Sequence, residues 1–112
     1  MNTELIQRFR EKMLNGCAIG CFMKTCDPAF VEAAGYAGMD FAIFDMEHGP
    51  VSLERLQDLI RAAQIAGILP VVRVRHGDLV SQALDIGAAG VQIPQVSTPE
   101  EAEQAVRAAK YY

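Results

Sequence analysis

Basic residues are too few in this sequence to form a nucleic-acid-binding surface. It has 10 Lys and Arg against 14 Asp and Glu, a net charge of −4, and its aromatic residues do not alternate with basic ones. No apolar run approaches the roughly 20 residues that a membrane-spanning helix needs. The N-terminal segment has the pattern of a charged amphipathic helix, not of a signal peptide. We therefore expect a cytoplasmic protein with neither nucleic acid nor membrane as a partner.

Cysteine is also scarce, and its spacing is unsuited to a disulfide or a metal site. There are three cysteines, an odd number, and no Cys-x-x-Cys pair. Cys17 and Cys21 would lie about 13 Å apart along one strand, too far apart to bridge. We predict that Cys17, Cys21 and Cys26 are small buried side chains without a redox role.

The remaining composition is that of a packed domain. The chain has 112 residues, 51% of them hydrophobic, and no Pro-rich or Ser-rich tract. Hydrophobic periodicity and capping residues predict one helix followed by four strand–helix units. The predicted helices cover 3–14, 28–37, 53–66, 79–86 (capped by Asp78) and 99 onward, and the predicted strands cover 17–23, 41–44, 69–74 and 91–93.

This regular alternation predicts an α/β fold with a parallel sheet and right-handed crossovers. Two architectures remain: a small open doubly wound sheet, or the first half of a (β/α)8 TIM barrel. The segment after the first strand, 24–27, contains no glycine, which argues against a phosphate-binding loop and favours the barrel. A half barrel would leave two strand edges that the rest of the barrel or a second copy must cover.

Three titratable residues, Asp45, Glu47 and His48, directly follow the most apolar predicted strand. Parallel α/β folds place their active sites at this carboxyl end of the strands. The ordinary pKa of a histidine, about 6.5, suits His48 to acid/base catalysis, although it could also be a loop or helix-capping residue. Glu47 could bind a metal, orient His48 or favour the N-terminus of the next helix.

Arg73 is the next candidate, because it lies at the end of the predicted strand 69–74. A guanidinium there requires an anion, and its planar fork matches a carboxylate. Two interpretations are open: an internal salt bridge to Asp45 or Glu47, or a clamp for a substrate carboxylate. Asp85 lies near a helix C-terminus, where a negative charge is unfavourable, so we expect it to have a partner.

Four segments, with the terminal Ala109-Lys110-Tyr111-Tyr112, together resemble the HpcH/HpaI aldolase family, the metal-dependent pyruvate aldolases that act on 4-hydroxy-2-oxo acids. They are Asp45-Met46-Glu47-His48-Gly49-Pro50, Val71-Val72-Arg73, Leu84-Asp85-Ile86-Gly87-Ala88 and Ile93-Pro94-Gln95-Val96. The resemblance spans essentially the whole chain. It implies that residues 1–112 form the N-terminal half of a TIM barrel, a parallel (βα)4 unit with an N-terminal helix and no second domain.

The resemblance also implies roles for individual residues. His48 would be the acid/base for aldol cleavage and addition, and Arg73 would bind the keto-carboxylate and stabilise the enolate. Asp45 and Glu47 would line the substrate site. Asp85 would be catalytic through pairing with the histidine, within one subunit or across the interface of a homo-oligomer.

A divalent metal, Mg²⁺ or Mn²⁺, is the cofactor that the resemblance implies. The family's metal ligands, a Glu and an Asp on later strands, would fall beyond Tyr112, so we expect no metal ligand within this chain. The predicted function is cleavage of a small-molecule 2-oxo acid to pyruvate and an aldehyde by the complete enzyme. The alternative is a catalytically inactive half barrel that serves as a binding or assembly module.

Overall fold

The computed structural model describes residues 3–75 and 79–110. In chain order the elements are α1 (Thr3–Asn15), β1 (Gly20–Met23), α2 (Pro28–Tyr36), β2 (Phe41–Asp45), α3 (Leu53–Ala66), β3 (Leu69–Arg73), α4 (Val80–Asp85), β4 (Gly90–Gln92) and α5 (Pro99–Lys110). The predicted order of one helix and four strand–helix units is confirmed. Among the described residues, no helix combines the length and apolar character needed to cross a membrane.

The four strands form one parallel sheet in the order β1-β2-β3-β4. A doubly wound sheet reverses its strand order and covers both of its faces with helices. Here the order is sequential and only one face is fully covered. Ala42, Phe44 and Val72 on that face are fully buried, whereas Phe22 and Gln92 on the other face are exposed. The fold is therefore a (βα)4 portion of a TIM barrel, and we call its uncovered side the concave face.

The covered face packs against α2, α3 and α4 through an aliphatic core. Its fully buried members include Val31 of α2 and Leu56, Leu59 and Ile60 of α3. Ser52 caps the N-terminus of α3, where its hydroxyl accepts a hydrogen bond from the Arg55 amide (3.2 Å). Gly67 ends the helix in the left-handed conformation (φ 79°). These two caps fix the first and last residues of α3, and with them the lengths of the loops that join α3 to β2 and to β3.

Helix α1 closes the amino-terminal end of the sheet. Lys12 Nζ lies 2.7 Å from Asp40 Oδ1, just before β2, and Arg8 donates to the Gly67 carbonyl (3.3 Å), just before β3. Phe9 packs edge-on against Phe41, with ring centroids 5.6 Å apart. The carboxyl-terminal end of the strands is left free for the site.

Two sequence predictions about the first strand need correction. The predicted strand 17–23 begins only at Gly20, because β2 pairs with β1 from Phe41↔Gly20 onward and no described strand pairs with the segment before it. The prediction that all three cysteines are buried is wrong: Cys17 is exposed, and Cys21 and Cys26 are only partly buried. The predicted helix cap at Asp78 lies outside the described residues.

Candidate functional site

The titratable residues meet where β2 and β3 end. Asp45 and Arg73 are the last residues of these strands and are register partners, so their side chains share the concave face. Glu47 and His48 follow in the loop that leads to α3. Gly49 is required in that loop, because a side chain there would collide with the Asp45 carbonyl oxygen. The register thus brings together four of the five predicted site residues.

Asp45 is fully buried, and its carboxylate organises the site. Its Oδ1 accepts hydrogen bonds from the amides of Glu47 (2.9 Å) and His48 (3.1 Å) and from Arg73 Nε (3.1 Å). Its Oδ2 accepts a hydrogen bond from Arg73 Nη2 (2.7 Å). The Arg73 bond, assisted by the two amides, lowers the pKa of Asp45 to about 2 against the opposing effect of burial. Asp45 is therefore an anion throughout the physiological range.

Arg73 has a two-pronged ion pair with Asp45 and a second carboxylate nearby. Its Nε lies 3.5 Å from Glu47 Oε1, and its Cζ lies 4.8 Å from the centroid of the Phe22 ring. The hydrogen bond to Asp45 raises the pKa of Arg73, so the guanidinium stays charged. The internal salt bridge is therefore present, and it engages both Asp45 and Glu47. Asp45 takes the Nε/Nη2 edge, and among residues 3–75 and 79–110 the Nη1 group has no hydrogen bond, so it can donate to a further ligand.

His48 is the accessible member of the cluster. Its Nε2 lies 3.3 Å from Glu47 Oε1, and its side chain is 62% exposed, against 12% for Glu47. One carboxylate oxygen of Glu47 thus faces both the imidazole and the guanidinium. Of the three roles considered for Glu47, the geometry favours orientation of His48.

Asp85 lies elsewhere in the described fold. It is the exposed last residue of α4, in a groove that it shares with Leu53, Glu54 and Gln57 of α3. Its pairing with the catalytic histidine stays a prediction.

The donors present do not form a metal site by themselves. Within residues 3–75 and 79–110, no three His, Cys, Asp or Glu side chains are grouped so that they could hold a metal ion. Asp45 already accepts four hydrogen bonds, and Glu47 Oε1 faces His48 and Arg73. Glu47 could offer at most one carboxylate, whereas Mg²⁺ takes carboxylates in combination with substrate oxygens and water. A metal would need ligands from outside these residues.

Two residues of the concave face were missed from the sequence. Phe22 of β1 stacks on Arg73, and Gln92 of β4 is the register partner of Arg73. Strand alternation could have identified Phe22, because it places this residue on the face opposite the buried Met23.

A cleft of about 450 Å³ lies away from this cluster, between the end of β4 and α5. It is lined largely by apolar and amide side chains, among them Ile93, Val96, Gln104 and Ala108, with Glu101 as its charged member. The described residues that line the cleft include no histidine and no arginine, in contrast to the Asp45 cluster. We therefore place the candidate site at the Asp45 cluster.

A parallel barrel sheet with carboxylates, a guanidinium and an accessible histidine at its strand carboxyl ends has the architecture of the TIM-barrel enzymes. The model of one family, HpcH/HpaI aldolase/citrate lyase, matches residues 18–112. The chain belongs to this family, as the sequence motifs predicted.

Individual relatives agree with this assignment. The 2-dehydro-3,6-dideoxy-6-sulfogluconate aldolase of Pseudomonas putida is 39% identical over 83% of this chain and 37% of the relative. The hydroxypyruvate/pyruvate aldolase of Pseudomonas aeruginosa is 37% identical over 95% of this chain and 41% of the relative. The crystal structure of the HpcH/HpaI aldolase from Desulfitobacterium hafniense superposes with a TM-score of 0.82 at 32% identity, over 91% of this chain and 41% of that one. The chain thus spans about two fifths of the length of the relatives it matches.

Proposed function

We propose that the complete protein is a divalent-metal-dependent aldolase, a lyase that cleaves a 4-hydroxy-2-oxo acid to pyruvate and an aldehyde. The observation that carries the proposal is the pair formed by Arg73, fixed by buried Asp45, and the accessible His48, fixed by Glu47. The names of the aldolase relatives support the reaction class. Because the chain spans only part of those relatives, the activity is proposed for the whole protein.

Arg73 binds the oxo-acid end of the substrate in this proposal. Its Nη1 group donates to the substrate carboxylate and to the C2 oxygen, while Asp45 holds the opposite edge of the guanidinium. As the C3–C4 bond breaks, negative charge develops on the C2 oxygen of the enolate. A fixed donor at such an oxygen contributes about 3 kcal/mol to transition-state stabilisation.

His48 moves the proton. Glu47 contacts Nε2, so the ring presents its other nitrogen, Nδ1, to the 4-hydroxyl. His48 removes the hydroxyl proton, the C3–C4 electron pair passes into the enolate, and the aldehyde leaves. His48 then returns this proton to C3, which gives pyruvate and restores the neutral imidazole. The reverse sequence is aldol addition.

The cofactor in the proposal is Mg²⁺ or Mn²⁺, bound by residues outside those described. Asp45 and Glu47 are committed to Arg73 and His48, so their proposed role is to order the site. We also propose a cytoplasmic homo-oligomer in which Asp85 supports the histidine of the same or a neighbouring subunit.

The test is retro-aldol turnover by the full-length protein, with pyruvate release as the readout and Mg²⁺, Mn²⁺ and chelator as conditions. We expect metal-dependent turnover that His48→Ala lowers by about 100-fold or more, with the dissociation constant of pyruvate nearly unchanged. His76→Ala removes the chain's other histidine and serves as the matched control. Absence of turnover of every 4-hydroxy-2-oxo acid at all metal concentrations would overturn the proposal in favour of a binding or assembly module.

A further inference from the structure

Phe22 is an unusual residue on the concave face. It lies in β1 between Cys21 and the buried Met23, and its side chain is 52% exposed although phenylalanine gains stability from burial. Its register partner on β2 is Ile43, two residues before Asp45. The ring therefore lies on the same face as the Asp45–Arg73 pair, near the carboxyl end of the strands.

The ring of Phe22 meets a residue that is not on a neighbouring strand. Arg73 belongs to β3, and β2 separates β3 from β1. The Arg73 side chain crosses β2, and its Cζ comes to 4.8 Å from the Phe22 centroid. A cation at this distance from an aromatic ring is attracted by the negative ring face.

The Asp45 and Phe22 contacts restrain the guanidinium in different directions, in addition to the Glu47 carboxylate that lies 3.5 Å from Nε. The hydrogen bonds from Nε and Nη2 to Asp45 fix one edge of the guanidinium plane. They still allow this plane to tilt about that edge. The Phe22 ring, 4.8 Å from Cζ, contacts the guanidinium from β1. The remaining Nη1 group is then fixed in direction as well as in position.

We propose that Phe22 is a positioning residue for Arg73, which orients the guanidinium for the oxo-acid end of the substrate. This inference rests on the proposed aldolase function and adds a residue to its site. Phe22 acts on Arg73 and not on the aldehyde part of the substrate. Its effect is therefore common to all aldehyde partners.

The experiment compares Phe22→Leu and Phe22→Tyr in the full-length protein, with Phe30→Leu as the matched control. Phe30 is a similarly exposed phenylalanine (61%) on α2, outside the site. We expect Phe22→Leu to lower kcat/KM by about 2- to 30-fold, the range of a cation–π contact, and Phe22→Tyr to restore it. The factor should be the same for small and large aldehydes in the synthesis direction, and Phe30→Leu should match the wild type.

Two kinetic results would overturn the inference. One is a Phe22→Leu variant with the kcat/KM of the Phe30→Leu control. The other is a loss that changes with aldehyde size, which would make Phe22 a wall of the aldehyde pocket. Thermal unfolding of each variant checks that the protein is folded, and Phe22→Met replaces Phe22→Leu if the latter unfolds.

A second readout does not depend on activity. The Nε–Hε NMR resonance of Arg73, assigned by its loss in Arg73→Lys, should carry a ring-current shift that Phe22→Leu removes and Phe22→Tyr keeps. An unchanged resonance in Phe22→Leu would overturn the inference. A wild type with this shift but without turnover would instead overturn the proposed function.

Discussion

The buried carboxylate of Asp45 both stabilises the fold and positions the proposed catalytic groups. It holds the loop through two amides and the guanidinium through two nitrogens, so every proposed catalytic group except Asp85 contacts it or its direct partners. Buried charges are tolerated where such a full set of partners is present. The interactions that stabilise the β2–α3 loop therefore also orient Arg73.

The stability of the protein should fall at acid pH because of this residue. The pKa of Asp45 is lowered from 3.8 to about 2, so its anion stabilises the folded state above pH 4, and this contribution is lost as the pH falls from about 4 to 2. Urea unfolding at several pH values measures the effect. In Asp45→Asn we expect the free energy of unfolding at pH 7 to be lower by about 2 kcal/mol. We also expect the free energy of unfolding of this variant to change less between pH 4 and 2 than that of the wild type.

Asp58→Asn is the control for this prediction. Asp58 is half exposed on α3, with weak ion pairs to Arg55 and Arg61 at 4.0 and 3.8 Å. Its replacement should change stability little. The same acid dependence in Asp45→Asn as in the wild type would contradict the assigned role of Asp45.

At the scale of elements, α1 depends on a few polar contacts to its neighbours. Asp40 accepts from Lys12 Nζ and from the Ile19 amide (2.8 Å), and these contacts, led by that with Lys12, lower the pKa of Asp40. One carboxylate thus holds both α1 and the segment that leads from it into β1.

We expect Asp40→Asn to loosen α1 more than Lys12→Gln does. The first change removes the ion pair and weakens the Ile19 bond, at a cost of about 1 kcal/mol, whereas the second removes only an exposed ion pair. Amide hydrogen exchange of α1 in the two variants measures this difference. Equal protection in both would show that the ion pair alone matters.

The elements also show what sequence reasoning could reach. Helix α3 has the predicted bounds, Leu53–Ala66, because an apolar stripe, a Ser52 cap and Gly67 all agree. The apolar segment from Cys17 was misassigned because only pairing with β2 decides where β1 begins. The sequence leaves the Arg73–Asp45 pair as one of two interpretations, because the pair depends on the register between β2 and β3. Strand alternation places Phe22 on the concave face, but its contact with Arg73 depends on the order of the strands.

At the scale of the whole molecule, the concave face is uncovered and the two outer strands, β1 and β4, are the edges of the sheet. Phe22 and Ile19 are more than half exposed, and the edge strands have unpaired backbone groups among the described residues. Further residues of the protein or a second copy would cover this surface in a stable assembly.

A protein limited to residues 1–112 should therefore associate with itself. Light scattering should show dimers or larger species instead of the 12.2 kDa monomer, and an apolar dye should bind to any monomer that remains. The full-length protein is the control. A monodisperse 12.2 kDa species that does not bind the dye would contradict the prediction.

The sequential strand order has a consequence for synthesis on the ribosome. Each strand pairs with the one made just before it, so the sheet can grow at a single edge as the chain emerges at about 5 to 20 residues per second. Asp45 and Arg73 are 28 positions apart, and their ion pair can close as soon as β3 leaves the exit tunnel. The nascent chain can thus form the core of its site before β4 has left the tunnel.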